Sequence, residues 1–278
     1  MNATCGVIGL GLVGAAVKEG LEWIGNKVLF YDIKFSGSKI EDVLETDCVF
    51  ICVPTNPKKD GSCDISIVEE TVERLSNLNY YGVIAIKSTV IPGTTDKLKN
   101  KFRELNIVFV PEFLRERSAL VDFLDNHDVC IIGAYRNRDF EIVKKIHGSI
   151  PKNFVMLTPI EAELAKYFNN VYNTCRIVFA NGFYEVCNKL GANYQKIYDA
   201  VILRDNITGH YLRCSESLRG ASGPCLSKDP IAFDLFVKSL NLDINPEIFK
   251  IIVDDNAKYP KNIIGKTRTE KEYFGEEL

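Results

Sequence analysis

Cys225 stands where a thiol can be turned into a nucleophile. It follows the small-residue run Gly220-Ala221-Ser222-Gly223-Pro224 and precedes Lys228, Asp229 and Pro230. An acid followed by proline marks a helix start, with Asp229 as N-cap and Pro230 at the first helical position. A thiol just ahead of a helix N-terminus and beside a lysine has its thiolate favoured, the form that attacks carbonyl carbon. Read by itself, one cysteine is more often structural than reactive. The pliable loop around Cys225 tips it toward reactivity.

Two further groups could act on the same chemistry. Lys166 and Asn170 are four apart and share a helix face, with Glu163 and Asn173 close to that stripe among Leu164, Val171, Ile177 and Val178. A polar stripe on an apolar helix either faces solvent or lines a site, and the pattern leaves both open. Glu112 and Glu116 lie in Val110-Pro111-Glu112-Phe113-Leu114-Arg115-Glu116, after a strand end, where open α/β sheets present ligands. Apolar neighbours can raise a carboxyl pKa and suit it to general acid–base work. A surface pair on a helix start is the alternative.

The glycine turn Gly9-Leu10-Gly11-Leu12-Val13-Gly14 follows a strand and opens a helix. The first glycine permits the tight turn, the second lets backbone approach a pyrophosphate, and the third lets helix and strand pack closely. The helix N-terminus, with Leu12 and Val13 in its first turn, faces the anion. Asp32 ends the second strand, about 20 residues on, where a carboxylate accepts from a ribose hydroxyl and repels a 2′-phosphate. NAD is therefore expected rather than NADP, although Lys34 sits nearby.

Positioning these groups requires a sheet and a long helix. Strands are expected at Cys5–Ile8, Val28–Tyr31, Cys48–Val53, Val83–Ile86, Ile107–Phe109 and Val129–Ile132. Several are continuous apolar runs, as in strands covered on both faces, and their alternation with helical segments predicts an α/β fold with a doubly wound parallel, Rossmann-like sheet. This NAD-binding domain is expected over 1–157. Thr158-Pro159-Ile160-Glu161 is a capping box that starts a helix running to Leu190, with Gly191 as its stop. A helix of roughly 30 residues spans roughly 45 Å. Shorter helices are expected at Gln195–Leu203, Pro230–Leu240 and Pro246–Tyr259, making an all-helical central and dimerisation domain over 158–260. A polar tail is expected over 261–278.

Composition narrows the partners. The 278 residues are 46% hydrophobic, enough for a real core, and carry a net charge of −3 with basic residues dispersed. That excludes a nucleic-acid footprint, which needs a basic face. Neither a signal peptide nor an apolar run long enough for a bilayer is visible, so no membrane is expected. The chain has nine cysteines, several in strands, no C-x-x-C pair and only three histidines. A metal site is not expected, and a reducing, cytoplasmic setting fits. The long helix has more apolar surface than a few short helices cover, so a homodimer is expected.

Taken together these segments resemble the UDP-glucose/GDP-mannose dehydrogenase family, the nucleotide-sugar 6-dehydrogenases, which oxidise a nucleotide-sugar alcohol to the carboxylate with two NAD. The resemblance runs to about Tyr259. It rests on the ordered set of the glycine turn, Val53-Pro54-Thr55, Lys87-Ser88-Thr89-Val90, Pro92-Gly93-Thr94-Thr95, Pro111 to Glu116, Glu163 to Asn170 and the cysteine loop. It implies that Cys225 attacks the aldehyde of the first oxidation, giving a thiohemiacetal and then a thioester. Lys166 and Asn170 match an oxyanion-stabilising pair. Glu112 matches the residue that assists water in thioester hydrolysis, and Thr89 and Asp229 match residues that position water and catalytic side chains.

The resemblance further implies cofactor contacts at Val53, Pro54, Thr55, Thr89, Glu116 and Lys228. It implies sugar contacts at Phe113, Leu114, Arg115, Glu116, Lys166, Asn170 and Gly220. It also implies a dimer core at the long helix. The loop departs from the family's Gly-Phe-Gly-Gly-Ser-Cys at Ala221, Ser222 and Pro224, which has no N–H. Family members continue into a second Rossmann-like domain over the substrate nucleotide, and none is expected within this sequence. Two other readings stay open: a single-step β-hydroxyacid dehydrogenase, which needs neither Cys225 nor Glu112, and an NAD-binding pseudoenzyme acting as a partner protein.

Overall fold

The structure, a computed structural model, describes residues 3–115 and 118–259. It comprises two units, Met1–Lys58 with Cys63–Lys166, and Lys59–Ser62 with Tyr167–Leu278. Glu116 and the expected tail over 261–278 lie outside the described residues.

The first unit is built on a sheet of seven strands. In chain order it runs β1 (Thr4–Ile8), α1 (Leu12–Trp23), β2 (Lys27–Tyr31), β3 (Cys48–Ile51), α2 (Ser66–Asn77), β4 (Val83–Ile86), α3 (Thr94–Lys101), β5 (Asn106–Phe109), α4 (Ala119–Leu124), β6 (Val129–Gly133), α5 (Asn137–His147) and β7 (Asn153–Leu157). The strands lie in the order β2-β1-β3-β4-β5-β6-β7. The order reverses between β1 and β3, the switch point at which open α/β sheets bind ligands, and the glycine turn leaves β1 there.

Successive strand residues feed opposite cores, as the two-residue period requires. Cys48 and Phe50 join Val17, Leu21, Val143 and Ile146 on the α1/α5 face. Val49 and Ile51 join Val72, Leu75 and Leu98 on the α2/α3 face. The double cover explains why β3 and β4 read as unbroken apolar runs. The six expected strands all form, and the sheet is mostly parallel as expected. Two details differ. β6 meets β5 antiparallel through the single pair Phe109↔Gly133, and β7 is an additional, partly exposed edge strand paired parallel to β6.

The long helix α6 spans Pro159–Leu190, as expected, and stops at Gly191, whose φ of +69° suits glycine. At its start the Glu161 carboxylate accepts from both the amide and the hydroxyl of Thr158. The second unit holds the rest of α6 with α7 (Tyr194–Val201), α8 (Asp229–Ser239) and α9 (Ile248–Asn256), each within a few residues of its expected bounds. Its small core is Ala180, Cys187, Tyr194, Tyr198 and Cys214. Phe233 of α8 meets Phe249 of α9 edge-on, with centroids 5.0 Å apart. Among the described residues no helix is long and apolar enough to cross a membrane.

Candidate active site

The glycine turn has the geometry a pyrophosphate needs. Gly9 has φ +89°, and a Cβ there would lie 2.7 Å from the Cys52 carbonyl oxygen. A Cβ on Gly14 would sit 1.8 Å from the Gly9 oxygen, whereas one on Gly11 meets nothing within 4 Å. The outer glycines are thus fixed by packing and the middle one faces open space. The first turn of α1 carries no acidic residue, and its N-cap, Gly11, makes no side-chain hydrogen bond. The positive end of the helix is left for an outside anion. Asp32 closes the arrangement: Oδ2 accepts the Leu10 amide at 2.6 Å and Oδ1 the Lys34 amide at 2.7 Å. Beyond β3, Val53 is half-buried, Pro54 exposed and Thr55 buried, and the Val53 carbonyl accepts the Ser88 hydroxyl at 2.7 Å. These residues fit a dinucleotide.

Glu112 is buried just beyond β5, at 6% exposure. Its Oε2 takes the Lys87 ammonium at 2.9 Å, its Oε1 the Phe113 amide at 2.9 Å, and its carbonyl the Lys166 ammonium. Burial is the largest single influence and would raise its pKa, but the opposing influences together, with Lys87 foremost, hold the carboxyl below the usual carboxylate range. This corrects the expectation of a carboxyl raised by apolar neighbours. The alternative, a surface pair on a helix start, fails for Glu112, which precedes α4 and is buried.

The neighbouring predicted residues are also placed within this unit. Lys166 is buried, with its ammonium 5.6 Å from the Phe113 ring centroid. Leu114 packs on the α1/α5 core. Arg115 is pinned to Asp122, its Nε at 2.9 Å and its backbone amide at 2.9 Å from Oδ2. Thr89 is half-buried and its carbonyl accepts the Cys63 thiol at 3.5 Å.

In the second unit the Asn170 amide donates to Asp229 Oδ2 at 2.6 Å, and the Lys228 ammonium lies 2.7 Å from Oδ1. Asp229 is therefore not the N-cap expected of it. It is the first residue of α8, Lys228 occupies the cap position, and no side chain caps the helix. The long-range amide and the adjacent ammonium compete for the carboxylate and win it. Cys225 is half-buried in the turn ahead of α8, its carbonyl accepting the Asp229 amide at 3.0 Å. Gly220 has φ +64° and donates its amide to Asn181 Oδ1 at 3.3 Å. Asn256 clamps Ala221 from both sides, accepting its amide at 2.6 Å and donating to its carbonyl at 3.3 Å.

The polar stripe of α6 is the buried one. Glu163, Lys166, Asn170, Asn173, Thr174 and Asn181 are all buried, while Phe168, Tyr172, Phe179 and Phe183 are exposed. Within that stripe Glu163 accepts the Gly93 amide at 2.5 Å and the Thr95 amide at 2.8 Å, capping α3. Lys87, Asn181 and Asn256 carry no expected role in the sequence. Only Lys87 left a signal, as a charge directly after the apolar run of β4.

Comparison with known proteins adds a lineage. Residues 33–151 match the UDP-glucose/GDP-mannose dehydrogenase family, NAD binding domain, and residues 160–258 match its central domain. A UDP-glucose 6-dehydrogenase of Rickettsia felis is 30% identical over 245 residues, covering 85% of this chain and 53% of that protein. The chain thus spans about half the length of the curated relatives it matches. The solved UDP-glucose dehydrogenase of the hyperthermophilic archaeon Pyrobaculum islandicum superposes with a TM-score of 0.85 at 30% identity, over 93% of this chain and 68% of that one. A 3-hydroxyisobutyrate dehydrogenase of Mycobacterium tuberculosis, at 17% identity and TM-score 0.70 over 93% and 94% of the two chains, shares the fold.

Proposed function

The chain belongs to the UDP-glucose/GDP-mannose dehydrogenase family, and from that premise we propose that it oxidises the primary alcohol of a nucleotide sugar to the carboxylate through Cys225. Bound NAD supplies the hydride acceptor for each oxidation, held by Gly9, Gly11, Gly14 and Asp32, with Val53 to Thr55, Thr89 and Lys228 as further contacts. In this reading Lys166 and Asn170 stabilise the oxygen on which negative charge develops; a cation and an amide suit that task. The Cys225 thiolate adds to the aldehyde as a thiohemiacetal, and the second oxidation leaves a thioester. That covalent hold keeps the aldehyde from escaping between oxidations. Glu112 then assists water in releasing the acid. Phe113, Leu114, Arg115 and Gly220 shape the sugar pocket.

The observation that carries this reading is the Asn170–Asp229 bond of 2.6 Å. It ties the amide assigned to the oxyanion to the residue four places after the thiol. That is a reason for Asp229 to be buried other than capping. The division into an NAD-binding part to residue 157 and a helical central part from 158 goes with this reading, as does a cytoplasmic setting. So does a homodimer through α6, supported by its exposed aromatic stripe.

The test is turnover with NAD and a panel of UDP- and GDP-sugars. Two NADH per acid are expected, with Cys225→Ser arrested at or before the thioester. No NADH from any sugar nucleotide sinks the proposal. One NADH per product, surviving Cys225→Ser, favours the single-step β-hydroxyacid reading.

A further inference from the structure

Lys87 has no part in the reaction outlined above, yet it is 3% exposed at the end of β4. Burying an ammonium costs far more than its place in a sheet returns, unless a specific counter-charge receives it. The receiver is Glu112 Oε2 at 2.9 Å. The same residue is held twice more, by the Phe113 amide on Oε1 and by Lys166 on its carbonyl. We infer that Lys87 is a positioning residue for thioester release: it keeps Glu112 ionised and fixes the direction of its carboxylate.

The inference rests on the functional reading above and assigns Lys87 to its last half-reaction. There the water oxygen bonds to the acyl carbon, the carbon–sulfur bond breaks, and the electron pair leaves on the Cys225 sulfur. The proton from water goes to Glu112. Only an ionised carboxylate can take it, and a buried carboxyl without a cation would be protonated near neutrality.

The other groups facing Glu112 do not supply that cation. Burial pushes the Cys52 and Cys130 thiols up to about 12, so both are neutral. Burial also holds His127 below the ordinary histidine range and His147 down at about 3, so neither imidazole is charged near neutrality. Lys166 is engaged by the Glu112 carbonyl rather than the carboxylate. The counter-charge is Lys87.

The experiment compares the full chain with Lys87→Met and with Lys87→Met/Glu112→Gln, which removes both charges. By infrared spectroscopy of the ligand-free protein near pH 7, Lys87→Met should gain a protonated-carboxyl band that the double variant lacks. With NAD and UDP-glucose, Lys87→Met should lose at least about tenfold in steady-state rate and accumulate an acyl adduct on Cys225 in intact-mass spectra. The rate should recover as pH rises, because one unit of pKa shift changes the ionised fraction about tenfold. An ionised Glu112 in Lys87→Met near pH 7 overturns the inference. So does an equal rate loss at every pH without an adduct. If Lys87→Met does not fold, Lys87→Gln takes its place with the same two readouts. A wild type inert toward every sugar nucleotide refutes the functional reading, while the infrared band separately decides the hold of Lys87 on Glu112.

Discussion

The carboxylate of Asp32 accepts the backbone amide of Leu10 at 2.6 Å, so the acid that ends β2 also fastens the glycine turn that leaves β1. One side chain therefore holds the turn and, in the proposed reading, also presents an acceptor to a ribose. Asp32→Ala should weaken NAD binding by about 10- to 100-fold, the range for losing hydrogen bonds to a charged group. Asp32→Asn should narrow the preference for NAD over NADP by removing the repulsion of a 2′-phosphate. Fluorescence titration with both dinucleotides measures the two effects. Unchanged NAD affinity in Asp32→Ala would remove Asp32 from the cofactor site.

Asn170 gives a sharper test of the catalytic assignment. In Asn170→Ala the buried Asp229 carboxylate loses its donor at 2.6 Å, and the proposed oxyanion loses an amide. A fall of about 10²–10³ in kcat is expected, the usual cost of one oxyanion donor, with KM changing far less. Asn170→Asp sets two carboxylates against each other, so one must carry a proton. Its thermal stability should therefore rise as pH is lowered toward 5. A KM effect larger than the kcat effect would make Asn170 a binding residue instead.

The parts of this molecule legible in sequence are those fixed by local geometry. Gly9 and Gly14 are dictated by a positive φ and a clash within a single turn, and both stand in one short motif. The run from Pro159 to Leu190 is marked at both ends, by Thr158 with Glu161 and by Gly191. What was not legible depends on partners distant in sequence. Asp229 looks like a cap because the residues beside it suit one, but its carboxylate goes to Asn170, on another helix. Lys87 looks like a strand terminus until Glu112 is found beside it. The inside-out character of α6 is hidden for the same reason: its sequence contains two stripes, and only packing decides that Lys166 and Asn170 are buried while Phe168 and Phe179 are not.

His147 should set part of the acid sensitivity of the fold. It is fully buried on α5, its Nδ1 2.9 Å from the Val143 carbonyl oxygen. Burial first, and then the Lys87 charge, hold its pKa at about 3. The unfolded chain binds a proton below about pH 6.5 that the folded chain refuses. Stability from this group is thus complete above about pH 6.5 and is lost as pH falls toward 3, by up to ~1.4 kcal/mol per pH unit. His147→Phe should flatten that slope. Urea unfolding between about pH 7 and 5 reads it, and an identical slope in variant and wild type would exclude His147 as the source.

The exposed face of α6 bears on assembly. Phe168 and Leu190 are 74% and 76% exposed, and between them Tyr172, Phe179, Phe183 and Val186 are exposed too. Their spacing keeps them on one side of a helix. The Phe179 and Phe183 rings already touch, with centroids 4.9 Å apart, and so do those of Phe168 and Tyr172 at 6.3 Å. An apolar face of this length is costly in water and marks an interaction site. A second copy of α6 offers the same stripe, as a two-fold interface requires. The wild type should therefore scatter light as a dimer at micromolar concentration. Phe179→Glu/Phe183→Glu should scatter as a monomer, because paired like charges would be buried at the seam. NAD affinity should survive the change, since Gly9, Gly14 and Asp32 lie outside α6. A monomeric wild type, or a double variant that stays dimeric, would move the interface away from α6.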